Sequence, residues 1–169
     1  MSPLFQTVQQ AFQRMGWNGR QVEQREVLEA DFEVYHTRVR LHVQAFPELS
    51  AVSVVATAPG RTPESRMGLV AEMLMRTNHE LTVGNFELDY DTGQVLFRAT
   101  NIFPESQGHP DIIGSLVHSA LAEMDRLTPF LTLLLRMDTA ELAKLNLKLF
   151  LQREDLLPPV PETPADSPI

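Results

Sequence analysis

Runs of alternating apolar and polar residues lie next to one another here instead of alternating one by one with helices, which predicts an α+β fold. Two stretches carry this reading. Period-two patterning through residues 28–43 leads into a Val-rich segment over 49–58, and a second pair of strands spans Leu81–Phe103. The predicted order is a helix, three antiparallel strands, a helix, a β-hairpin, a long C-terminal helix and one extra short helix.

Each element has its own signal. Ser2 is placed to cap a first helix, with Pro3 in its first turn, and Phe5, Val8, Phe12 and Met15 recur at helical spacing up to Gly16. Leu28, Ala30, Phe32 and Val34 alternate with Glu29, Asp31 and Glu33, after which the apolar phase flips to Tyr35, Thr37, Val39, Leu41 and Val43. A phase flip requires a turn or bulge, here near Glu33–Tyr35. Thr62-Pro63-Glu64 starts a helix that ends near Asn78. Asp91-Thr92-Gly93 turns a hairpin between Leu81–Tyr90 and Gln94–Phe103, with glycine where φ must be positive. Ile113, Val117, Ala120, Leu121, Met124, Leu127 and Leu131 trace the long helix to about Arg136, and Pro129 within it should kink or interrupt it. Asp138-Thr139-Ala140-Glu141 has the form of a capping box and opens the extra helix over 138–151. The chain thus divides into a single domain over 1–153 and a disordered, Pro-rich acidic tail over 154–169.

Composition narrows the function. The 169 residues carry 14 Lys+Arg and 22 Asp+Glu, a formal charge of −8, and no cysteine. Disulfides, cysteine zinc sites and thiol nucleophiles are excluded. Residues 154–169 hold four acids and no base, so half of the excess belongs to the tail. A mildly acidic domain without clustered basic groups predicts no nucleic-acid partner. The longest apolar run, Phe130–Leu135 with Thr132 inside it, is too short to span a bilayer, and Met1–Gln6 lacks a basic leader, so the expectation is a cytoplasmic protein with no membrane partner.

The passage Asn78-His79-Glu80-Leu81-Thr82-Val83-Gly84-Asn85-Phe86-Glu87-Leu88-Asp89, followed by Gly93-Gln94-Val95-Leu96-Phe97-Arg98, resembles that of the YbjN-like family, whose fold is type III secretion chaperone-like (Tir chaperone-like). Ala122–Leu131, with its acid and then Pro129, is similar to the end of that family's long helix. The resemblance covers about residues 3–135 and brings no catalytic motif. It implies a non-enzymatic, chaperone-like or regulatory factor that dimerises and binds an extended polypeptide. The helix and tail after Met137 depart from the family pattern.

Site chemistry is sparse. None of the five histidines pairs at metal-ligand helical spacing, and His36 and His42, about 20 Å apart on an extended strand, are too far apart to share an ion. Asp89-x-Asp91-x-Gly93 has its glycine one residue early for a calcium loop and Thr100 where a glutamate belongs. No nucleophile elbow, phosphate loop or cofactor motif occurs, so neither catalytic residues nor cofactors are assigned. Two surfaces remain. His36, Arg38, Arg40 and His42 lie on one predicted strand face, either as an anion or peptide site or, as we favour, paired with Glu29, Asp31 and Glu33 across the sheet. The alternative to a protein-binding module is a small-molecule or anion binder, or a minor enzyme, that uses this face or an internal cavity. Phe86, Leu88, Leu96, Phe97 and Ile102 make both hairpin faces apolar, which predicts a homodimer or partner surface unless the extra helix covers it. The Pro-rich tail is either a docking segment for another protein or an inert solubilising end.

Overall fold

The computed structural model describes residues 1–103 and 108–159. Helix α1, Pro3–Met15, begins where the Ser2 hydroxyl accepts the Phe5 N–H and ends at Gly16, whose φ of 68° turns the chain out. Its buried stripe is Leu4, Phe5, Val8, Ala11 and Phe12; Met15, expected on that stripe, is exposed.

Six strands form one antiparallel sheet: β1 (Arg20–Gln21), β2 (Val27–Glu33), β3 (Arg38–Phe46), β4 (Ala51–Thr57), β5 (Asn85–Leu88) and β6 (Val95–Ile102). Their order across the sheet is β1-β2-β3-β4-β6-β5. β1 is an addition to the three strands expected before the second helix, being too short to show a period. The phase flip resolves as a turn in which the Val34 N–H donates to the Thr37 carbonyl at 2.9 Å. It lies slightly later than predicted and takes His36 out of β3. The first hairpin strand is shorter than Leu81–Tyr90, because Leu81–Gly84 lie outside the sheet. At the Asp91–Gly93 turn the Asp89 carboxylate accepts the N–H groups of Asp91 (2.9 Å) and Thr92 (3.3 Å) and the Thr92 hydroxyl (2.7 Å). Gly93 has φ 72°, and a Cβ there would lie 2.3 Å from the Thr62 carbonyl oxygen.

Helices cover one face of this sheet. α1 packs on β2 and β3, α2 (Met67–Glu80) beside β5, and α3 (Pro110–Arg136) across β4 and β6. Beneath them lie Val39, Leu41 and Val43 of β3, Val52, Val54 and Ala56 of β4, and Phe97 and Ala99 of β6, all essentially inaccessible. Burying each large side chain in such a layer contributes about 1.5–3 kcal/mol.

α3 runs unbroken through Pro129, where an interruption was expected. The proline cannot donate to the Asp125 carbonyl, but Met124, Leu127, Phe130, Leu131 and Leu134 bury the stripe on both sides and hold both halves in register. The capping box at Asp138 forms with both bonds at 2.8 Å. The expected single helix over 138–151 is instead two, α4 (Thr139–Ala143) and α5 (Leu147–Phe150). Asn146 divides them by accepting the Leu149 N–H and so capping a new start. This segment seats Phe150 against Phe130, ring centroids 5.5 Å apart, and Arg66 donates to the Met137 carbonyl at 2.6 Å. Leu156 and Leu157, within the stretch expected to be tail, pack against the core around a short 3-10 turn at Glu154–Leu156. The rest of the expected tail, from residue 160, lies outside the described residues.

Candidate functional site

The face of the sheet opposite the helices carries the charged residues of β2 and β3. From β3 it presents Arg38, Arg40 and His42, as period two requires. Register sets Arg38 opposite Glu33, Arg40 opposite Asp31 and His42 opposite Glu29. Arg38 is paired with Glu33, and Arg40 Nε lies 3.5 Å from Asp31 Oδ1. Glu29 is taken by Arg20 at 2.8 Å, from β1. Across the face Arg98 of β6 grips Glu87 of β5 at 2.7 and 3.1 Å, holding that carboxyl below its ordinary range. The His42 imidazole is pushed below its usual value, first by burial and then by the nearby Arg98 charge, against the pull of Glu29.

His36 does not join this group. It sits in the β2–β3 turn and faces α3, where its backbone N–H donates to Asp125 Oδ1 at 2.5 Å. Its Nδ1 lies 3.5 Å from Asp125 Oδ2, an electrostatic contact beyond good hydrogen-bond geometry. Asp125 is only 6% exposed, so this carboxylate pins the turn to the long helix. The four residues therefore split three and one. The two arginines on the open face already have acidic neighbours, with side chains more than 70% exposed, which is a solvated cross-strand arrangement and not a converging anion pocket.

The apolar set splits as well. Phe86 and Phe97 stack edge to face at 5.0 Å under α2 and α3, 4% and 0% exposed, so they belong to the core and not to the open face. Which side of the hairpin the helices would cover could not be read from the hairpin itself. Leu88 shares that inner side and is half-buried. Leu96, half-buried, and Ile102, 70% exposed, are on the open face. The added C-terminal segment packs against Phe130 of α3 on the helical side, so among the described residues no helix covers this face.

Sequence reasoning missed three apolar residues on the face of Leu96 and Ile102. Phe46 at the end of β3 is half-buried on the same face, Ala51 of β4 lies between it and Ile102, and Val55 of β4 lies between His42 and Arg98. The signal was present in β4: an unbroken Ala51-Val52-Ser53-Val54-Val55-Ala56 run marks a central strand apolar on both faces. Ser53, the polar exception, accepts the Thr100 hydroxyl at 2.9 Å. Among the described residues no three His, Asp or Glu side chains gather as a metal site would need, and no helix is long and apolar enough to cross a membrane.

An antiparallel sheet with its helices on one side and a long C-terminal helix spanning them is a type III secretion chaperone-like domain. Residues 5–132 match the model of the YbjN family, described as "Putative bacterial sensory transduction regulator", and the chain belongs to that family. The crystal structure of YbjN from E. coli superposes with a TM-score of 0.54 at 12% identity, covering 71% of this chain and 84% of that one. A chain of the ExsC–ExsE complex superposes with a TM-score of 0.50 at 13% identity, covering 73% and 89%. At such identities the likeness speaks to fold alone. Among curated proteins none matches the chain significantly.

Proposed function

We propose that this protein is a protein-binding module, a chaperone-like or regulatory factor with no enzymatic activity, acting as a homodimer in the cytoplasm. The observation that carries this reading is the bare sheet face. It places exposed Ile102 next to Ala51 and, one strand further, half-buried Phe46, with half-buried Leu96 at the other end of β6 beyond Arg98 and Thr100. Among the described residues no helix lies above them. A sheet face with that apolar content is suited to a second polypeptide. The family description and the solved complex of a structural neighbour, ExsC with ExsE, support the same reading.

The test is sedimentation of the full chain at micromolar concentrations beside Ile102→Asp and Leu96→Asp. The wild type is expected to be a dimer and each variant a monomer with an unchanged melting temperature. A wild type that stays monomeric removes the dimer. A photo-crosslinker at position 102 that yields no discrete protein adduct in the native cytoplasm removes the partner surface.

A further inference from the structure

Between α2 and α3, on the side of the molecule away from the bare sheet face, lies a cleft of about 330 Å³. That volume is at the lower end of small-molecule sites, which run from about 300 to 1,000 Å³. Its lining is apolar inside and charged around it. Phe86, Leu127 and Phe130 are buried side chains that reach it, and Leu151 of the C-terminal segment contributes from outside the family match.

The charged groups come in two facing sets. α2 presents Arg76 and Glu80, four residues apart and so on one face; α3 presents Glu123 and Arg126, three apart and likewise on one face. Two cations and two anions thus border one small apolar cleft, yet no pair across it comes within 4.0 Å among the described residues. Arg76 turns to Glu72 on its own helix at 2.7 Å, while Arg126, Glu80 and Glu123 have no ion-pair partner among the described residues. Half-burial raises the Glu123 carboxyl above its ordinary value, opposed by the Arg126 charge.

We propose that this cleft binds a zwitterionic α-amino acid with an apolar side chain. Its carboxylate meets Arg126, its ammonium meets Glu80 and Glu123, and its side chain lies against Phe86, Leu127 and Phe130. Charge complementarity selects this class. A simple carboxylate leaves two acids facing it, and a simple amine leaves an arginine facing it, whereas a zwitterion answers both. Because Leu151 is part of the lining, the site is complete only with the segment that lies beyond the family match. This site is separate from the protein-binding face, so either reading can fail alone.

Calorimetric titration of the full chain with L-phenylalanine and L-leucine tests it, with hydrocinnamate, phenethylamine and glycine as controls. The two apolar amino acids are expected to bind with Kd of about 10–1,000 μM, and the three controls at least about 10-fold more weakly. Arg126→Gln and Glu80→Gln are exposed changes expected to lower L-phenylalanine affinity at least about 5-fold while leaving the melting temperature of the free protein unchanged. Absence of binding of both L-phenylalanine and L-leucine at about 10 mM overturns the proposal. So does equal binding of hydrocinnamate or phenethylamine, or an affinity indifferent to both substitutions.

Discussion

At one edge of the sheet α2 lies along β5, and the Asn78 side chain stands in for a neighbouring strand. Its amide donates to the Phe86 carbonyl at 3.0 Å and accepts the Phe86 N–H at 2.7 Å. At the other edge β1 covers only Leu28 and Glu29 of β2. The pairing of Val34 with Thr37 sets the alternation of the β2–β3 ladder, by which Asp31 and Glu33 turn their backbone N–H and C=O groups outward. That edge is guarded by charge: a second β2 strand laid antiparallel about Phe32 would set Asp31 against Glu33, a like-charge contact. One edge is sealed by hydrogen bonds from its own chain, the other discourages pairing by its side chains, and the two respond differently to substitution.

The largest effect is expected at the sealed edge. Asn78→Ala strips Phe86 of both side-chain bonds and should cost about 2–3 kcal/mol in urea unfolding, with the Phe86 amide losing its protection from hydrogen exchange. A cost under about 0.5 kcal/mol would mean that water replaces the amide and that this edge is no better sealed than the other.

Two titrations sharpen the contrast. Glu123 borders the cleft on the sealed side and has a folded pKa raised by burial. A raised carboxyl favours its protonated form in the fold, so its contribution is present below the ordinary glutamate range and is lost as pH rises through the folded value. Glu123→Gln should therefore raise the melting temperature at pH 7, by no more than about 1 kcal/mol of stability, and do nothing at pH 3. His42 lies on the open face and shifts the other way. Its lowered folded pKa leaves it neutral while the unfolded chain protonates, so stability is full above about pH 6.5 and declines as pH falls toward the folded value. In His42→Gln that decline should flatten in the profile of melting temperature against pH.

The smallest effect belongs to the guarded edge. Arg38→Ala and Arg40→Ala break exposed cross-strand pairs and should each change stability by less than about 0.5 kcal/mol, less still in high salt. A loss above 1 kcal/mol from either would show that the ion pairs hold this edge rather than merely decorate it.

Local chemistry made much of the fold legible. Ser2, Pro3 and Gly16 marked both ends of α1, Asp91–Gly93 marked the hairpin turn, and Asp138 with Glu141 marked a helix start, because each satisfies backbone groups within a few residues. Distant partners hid the rest. The Tyr35-His36 turn has neither glycine nor proline, since Asp125, 89 residues away, supplies the His36 N–H with its acceptor. The open strand face of Arg38, Arg40 and His42 followed from period two alone. The inward fate of Phe86 and Phe97 did not, because α2 and α3 decide which side of the hairpin is covered.

The strand order also divides the sheet by distance along the chain. β2, β3 and β4 form a meander, and β5 with β6 a hairpin, each joined by short connections. They meet along one seam, Ala51–Thr57 against Leu96–Ile102, whose ends lie as much as 51 residues apart in sequence. Closing that loop costs chain entropy before the seam returns any of it, so formation of the seam is expected to set the folding rate. Val54→Ala, at the middle of β4, is then expected to slow refolding more than it speeds unfolding.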